Sequence, residues 1–229
     1  MIFDDRHDAG RQLAHAVRAR GSFSLPLVLG LARGGVPVAY EVARALHAPL
    51  DVFVVRKLGV PDEEELAMGA VATGGVRVLD DGIVQALRIP PAAIEQVATR
   101  ELEKLREREF AYRGTTDLPK LRDKTAILVD DGLAAGTRMR AAVKAVRQMT
   151  PSRIFVAVPV ASADACAELE DHVDGIVCAA TPVPFMGVSR WYRDFERTSD
   201  AEVRQLVAHS ASWAETPRGP VCLATTEPG

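Results

Sequence analysis

Ala126-Ile127-Leu128-Val129-Asp130-Asp131-Gly132-Leu133-Ala134-Ala135-Gly136-Thr137 is an apolar run that stops at two adjacent carboxylates and continues into a loop of small residues. Ile127 to Val129 suit a strand buried on both faces. Met139, Val143 and Val146 follow at helical spacing, so the loop leads into a helix over 137–149. Backbone N–H groups at the start of a helix lack intrahelical acceptors and, together with the helix dipole, attract a phosphate. Small residues let that backbone approach its ligand closely. Carboxylates next to an anion site need a reason. Asp130 and Asp131 would repel a phosphate, but they accept hydrogen bonds from vicinal sugar hydroxyls and can hold a magnesium ion directly or through water. The ligand indicated is a phosphorylated sugar. The plainer reading, a strand that ends in polar residues and an ordinary loop, leaves the fixed offset of Ala134-Ala135-Gly136-Thr137 unexplained.

Outward from this segment, strand and helix patterns alternate. A helix at 8–19 precedes a strand at 27–31; a glycine-bearing turn opens a helix at 36–46, and a second strand covers 52–55. Residues 70–79 alternate around Gly74-Gly75, as in a hairpin. Pro90-Pro91 starts a long helix with an apolar stripe of Ile94, Val97, Leu102 and Leu105, and the run Arg100, Glu101, Glu103, Lys104, Arg106, Glu107, Arg108 and Glu109 is expected to face solvent. A strand at 154–158, a short helix at 163–169 and a strand at 175–178 complete the pattern. This is an α/β fold, a mainly parallel sheet flanked by helices, and ligands in such sheets lie beyond the C-terminal strand ends, where Asp130 and Asp131 fall. The expected organisation is one domain over 1–210, with an insertion at about 58–115, a hood at about 181–200, and a flexible tail over 211–229 that is rich in Thr, Pro and Gly.

Composition narrows the function. With 229 residues the chain can bury the core of one elaborated α/β domain. A formal charge of -3 argues against a nucleic-acid surface as the primary contact. No apolar run reaches membrane-spanning length and the first residues are charged, so a cytoplasmic protein is expected. Cys166, Cys178 and Cys222 form no CxxC pair, and His7, His15, His47, His172 and His209 show no metal-ligand spacing.

A second candidate loop, Ala32-Arg33-Gly34-Gly35, follows the first strand and should open on the same sheet edge as Asp130. Gly34 and Gly35 free the backbone to approach an anion and Arg33 offers a forked donor. Arg56-Lys57 would lie at the end of the second strand, where the plain reading is snorkelling strand-end charges. Glu63-Glu64-Glu65 is expected at the surface or at a helix start.

The 126–138 segment resembles the 5-phosphoribosyl 1-pyrophosphate (PRPP) loop of type I phosphoribosyltransferases and is most similar to that of the orotate enzymes, which have Thr-Ala-Gly-Thr where this chain has Ala134 to Thr137. That resemblance implies their Rossmann-like fold with a small hood and a helical insertion. It further implies PRPP as donor, a small-molecule nitrogen acceptor such as a purine-like base, Mg2+, a role in nucleotide metabolism, and a homodimer. The implied PRPP contacts are Arg33, Gly34, Gly35, Lys57, Asp130, Asp131, Gly132, Leu133, Ala134, Ala135, Gly136 and Thr137, with Lys57, Asp130 and Asp131 as catalytic groups and the two aspartates on the metal. A flexible catalytic loop would lie within 58–75, a segment that lacks the basic composition usual for it. In the hood, Trp191 or Tyr192 would stack on the acceptor, core packing being the alternative role. Ala134 departs from the family pattern: it supplies neither a hydroxyl nor a carboxylate. Two other functions remain compatible with the same loop, a PRPP sensor without turnover and a hydrolase acting on a sugar phosphate.

Overall fold

The computed structural model describes residues 2–214. The chain begins with α1 (Arg6–Ala19), capped by the Asp5 carboxylate on the Asp8 N–H, and continues through β1 (Pro26–Leu31), α2 (Gly35–Leu46) and β2 (Leu50–Phe53). It then leaves the main sheet for an antiparallel meander of β3 (Val55–Val60), β4 (Glu63–Ala72) and β5 (Val76–Leu79), followed by α3 (Asp81–Ala86) and α4 (Pro91–Arg113). It returns as β6 (Thr125–Val129), α5 (Thr137–Gln148), β7 (Arg153–Val160), α6 (Ala163–Glu170) and β8 (Gly175–Ala180), and closes with a 3-10 turn at Val188–Trp191 and α7 (Asp200–Ala214).

The main sheet is five-stranded and parallel, in the order β2-β1-β6-β7-β8. Successive side chains of its strands point to opposite faces, and the core divides accordingly. Val28, Ile127, Val129 and Ala157 pack against α1 and α2, while Leu29, Ala126, Leu128 and Val156 pack against α5 and the near face of the meander. The chain moves one way from β1 to β2 and the other way from β6 to β7, so the sheet reverses direction between β1 and β6. A crevice opens at such a point, between loops that diverge to opposite faces. Gly30 pairs with Val129 in register, so both loops start level with one another.

Several expectations change. The second main-sheet strand ends at Phe53. Val54 donates to the Thr73 hydroxyl at 2.9 Å, and Val55 onward belongs to the meander. Lys57 is therefore in β3 rather than at a main-sheet strand end. Glu63-Glu64-Glu65 opens the exposed start of β4 and is not a helix start, and the segment 58–75 is a paired hairpin. On α4, Glu101 and Glu109 do not face solvent. Glu101 is buried because Arg56 reaches it at 2.5 Å from β3 and Lys104 at 2.9 Å from the next turn. Glu109 meets Arg113 at 3.0 Å. The helix α7 extends past the expected start of the tail at 211; the remainder of that expected tail, with Cys222, lies outside the described residues. Cys166 and Cys178 are free thiols with sulfurs 3.5 Å apart. No helix among the described residues is long and apolar enough to cross a membrane.

Candidate functional site

Two loops meet at the reversal point, and their glycines set how closely. A Cβ on Gly34 would lie 2.2 Å from Asp131 Oδ2, and one on Gly35 would lie 2.6 Å from the Val129 carbonyl oxygen. A Cβ on Gly132 would strike Val188 at 2.5 Å. No side chain fits at such distances, so the small residues are there to let backbone touch backbone and carboxylate. The Ala32–Arg33 peptide in the first loop is cis.

Asp130 directly follows β6 at 6% exposure. Its Oδ1 accepts the Asp131 N–H at 3.0 Å and its Oδ2 lies 3.6 Å from the Arg138 guanidinium. Burial pushes its carboxyl up to about 7, with Arg138 opposing the shift and Asp131 adding to it. Arg138 also donates to the Ala32 carbonyl at 3.0 Å, linking the two loops. Asp131 is gripped by Arg6 of α1, with both Nε and Nη2 at 2.9 Å from Oδ2. The Arg6 guanidinium lies 4.0 Å above the Phe195 ring and donates to the Glu196 carbonyl at 2.5 Å. From below, the Tyr192 hydroxyl donates to the Asp131 carbonyl at 2.6 Å.

Past the acid pair, Leu133 is anchored to β7 by N–H donation to Val160 at 2.9 Å, and the Ser162 hydroxyl donates to the Ala134 carbonyl at 2.9 Å. Ala134 and Ala135 are exposed, and Gly136 takes the left-handed conformation, φ 69°, as the N-cap of α5. Among the described residues no side chain caps α5, and none caps α2 at Gly34. Two helix N-termini thus present uncapped N–H groups at one crevice, which is the arrangement a ligand with two phosphate groups requires.

The expected site residues separate into two groups. Gly34, Gly35, Asp130, Asp131 and the loop from Gly132 to Thr137 are together. Arg33 is in the same loop, with its guanidinium 3.5 Å from Asp200, whose carboxyl also accepts the Tyr112 hydroxyl at 2.5 Å and is held below its usual range by that bond. Lys57 lies in β3 and donates to the Glu65 carbonyl at 3.0 Å across the hairpin. Tyr192 is not available to stack on an acceptor: it is 6% exposed and packed against Phe3 and Phe195. Trp191 is half-buried in the same cluster, and its indole N–H has no hydrogen-bond partner among the described residues. Sequence reasoning missed Arg6, Arg138 and Ser162. Ser162 had a signal, a serine just before a helix, but nothing local announces the reach of Arg6 to a residue 125 positions away. Asp130 and Asp131 form no cage of three or more acidic, His or Cys ligands among the described residues. They fit an ion that takes the rest of its shell from water and ligand oxygens, as magnesium does.

The chain is similar to known proteins in sequence and in fold. The family model "Phosphoribosyl transferase domain" matches residues 4–183. Proteins from two strains of Mycobacterium tuberculosis, provisionally named phosphoribosyl transferases, are each 46% identical over 202 residues, covering 88% of this chain and 45% of each relative. The chain therefore spans about half the length of these curated relatives. A crystal structure of a Thermus thermophilus protein is 41% identical and superposes with a TM-score of 0.77, covering 91% of this chain and 99% of that one.

Proposed function

Because this chain belongs to the phosphoribosyl transferase domain family, we propose that it transfers the 5-phosphoribosyl group of PRPP to a nitrogen of a small-molecule acceptor, releasing pyrophosphate. The observation that carries this reading is the Asp130-Asp131 pair, Asp130 buried and Asp131 part-buried, flanked by the N-termini of α2 and α5. PRPP has the same layout: hydroxyls in the middle, one phosphate at C5 and a pyrophosphate at C1.

In this assignment the N–H groups of Ala135 to Arg138 bind the 5-phosphate, with the Thr137 hydroxyl as a further donor. Asp130 and Asp131 accept hydrogen bonds from the ribose hydroxyls. Bond breaking at C1 leaves positive charge on the ribose and negative charge on pyrophosphate, so carboxylates near one and cations near the other lower the barrier. Arg33 and Arg138 border the Gly34-Gly35 loop and serve the pyrophosphate. Magnesium, held by the aspartates directly or through water and by the donor's own oxygens, would neutralise the pyrophosphate. Arg6 and the Tyr192 hydroxyl fix Asp131 in place, so the ribose carboxylate does not have to be ordered during binding.

Ala134 favours a second reading. It lies exposed in the loop and has no proton-accepting side chain, so a PRPP sensor or a hydrolase using water would need nothing more from that position. Pyrophosphate release from magnesium-PRPP distinguishes the three. Release that depends on one nitrogen acceptor is expected. Equal release without acceptor would assign hydrolysis, and tight PRPP binding without release would assign sensing.

A further inference from the structure

A cavity of about 440 Å3 lies between β5 and the C-terminal half of α5, away from the acid pair. Lys144 is seven residues beyond Thr137, roughly 10 Å along the helix axis from the phosphate cradle. The size falls within the roughly 300–1,000 Å3 typical of small-molecule sites. Val76, Val78 and Val143 line it with apolar surface, and Arg77, Lys144 and Arg147 line it with positive charge.

The cations are not equally engaged. Arg77 is held by Glu95 at 2.8 and 3.1 Å, and Arg140 reaches Glu168. Arg147 donates only to the neutral His172 carbonyl, at 2.6 Å, and Lys144 has no hydrogen-bond or ion-pair partner among the described residues. Arg140, Lys144 and Arg147 stand at i, i+4 and i+7, one above another on one helix face, where like charges repel. Two uncompensated cations above a valine floor fit an anion that carries an apolar body. A bare phosphate would leave the floor wet, and an uncharged heterocycle would leave the cations unmet.

We propose that this cleft is a second binding site, separate from the PRPP crevice, for a nucleoside monophosphate whose base lies on Val76, Val78 and Val143 and whose phosphate is met by Lys144 and Arg147. The site does not depend on the proposed transferase reaction. The test is calorimetric titration of the intact chain with AMP and GMP, alone and with saturating magnesium-PRPP, and with adenosine and ribose 5-phosphate as half-ligands. At least one nucleotide should bind, with or without PRPP, and each half-ligand should bind at least about tenfold more weakly, since each lacks one of the two sets of contacts. The double variant Lys144→Glu/Arg147→Glu should weaken nucleotide binding by at least about tenfold while its thermal melt stays cooperative; if it does not fold, Lys144→Glu alone carries the same expectation. No binding of either nucleotide overturns the proposal. So does affinity unchanged in the charge-reversed variants, complete competition by PRPP, or a change in oligomeric state in those variants with nucleotide affinity unaltered.

Discussion

Replacing Asp130 with Asn should stabilise the protein at high pH, by an amount that grows with pH. The carboxyl of Asp130 is shifted from 3.8 to about 7, burial being the main cause. A raised carboxyl pKa means that the folded protein holds the proton more tightly than the unfolded chain. Stability from this group is therefore fully present below pH 3.8 and is lost as pH rises to about 7. Three units at about 1.4 kcal/mol each give a total of about 4 kcal/mol. At pH 5 roughly one unit has been lost, and at pH 8 all three, so the advantage of Asp130→Asn should grow by about 2–3 kcal/mol between these values. Asn keeps an oxygen for the Asp131 N–H, so the local hydrogen bond survives. The assay is urea unfolding of both proteins at pH 5 and pH 8 in EDTA without ligand. A difference between variant and parent that is the same at both pH values, or that shrinks at pH 8, would refute the reasoning. The same substitution should remove the rise in melting temperature that magnesium-PRPP gives the parent.

Other substitutions probe the neighbouring contacts. Gly34→Ala puts a methyl 2.2 Å from Asp131 Oδ2; it should cost about 1–3 kcal/mol of stability and abolish PRPP binding, and normal PRPP affinity by calorimetry would contradict the close approach of the loops. Arg6→Lys keeps the charge but loses the two-nitrogen grip on Asp131, so PRPP affinity should fall about tenfold with little change in fold; unaltered affinity would remove Arg6 from the site. Glu101→Ala leaves the part-buried Arg56 guanidinium without its carboxylate and should destabilise by about 2–3 kcal/mol in urea unfolding, whereas a loss under about 1 kcal/mol would mean that the pair is well hydrated.

The signature segment was legible because three local signals coincide in it: a run apolar enough for a strand covered on both faces, a break in hydrophobicity, and helical spacing immediately after. The Ala32 to Gly35 loop was legible as its counterpart on the same grounds. Which strands neighbour one another was not, since that depends on contacts far apart in sequence, and so the reversal between β1 and β6 had to be seen. Lys57 was misplaced for a related reason. Nothing in Val52-Phe53-Val54-Val55 marks the one residue at which the chain changes sheets; the Thr73 hydroxyl, in the turn after β4, takes the Val54 N–H there. Glu101 looks like any other member of a charged run until Arg56 arrives from β3, and Tyr192 looks like a free aromatic platform until Phe3 and Phe195 close on its ring. Arg6, at the first position of an amphipathic helix, is indistinguishable by pattern from a solvated arginine.

The pairing of each aspartate with its own arginine, Asp131 with Arg6 and Asp130 with Arg138, bears on how a polyanion arrives. Two bare carboxylates at the mouth would set up a negative potential and slow the approach of PRPP. Above about pH 7, where Asp130 is also ionised, both are offset by guanidinium groups and Arg33 is offset by Asp200, so the entrance would exert little long-range force in either direction. Association would then be governed by diffusion and fit at close range, and its rate would vary little with ionic strength. Discrimination between phosphorylated and plain sugars would be exercised after encounter, by the N–H groups inside the crevice.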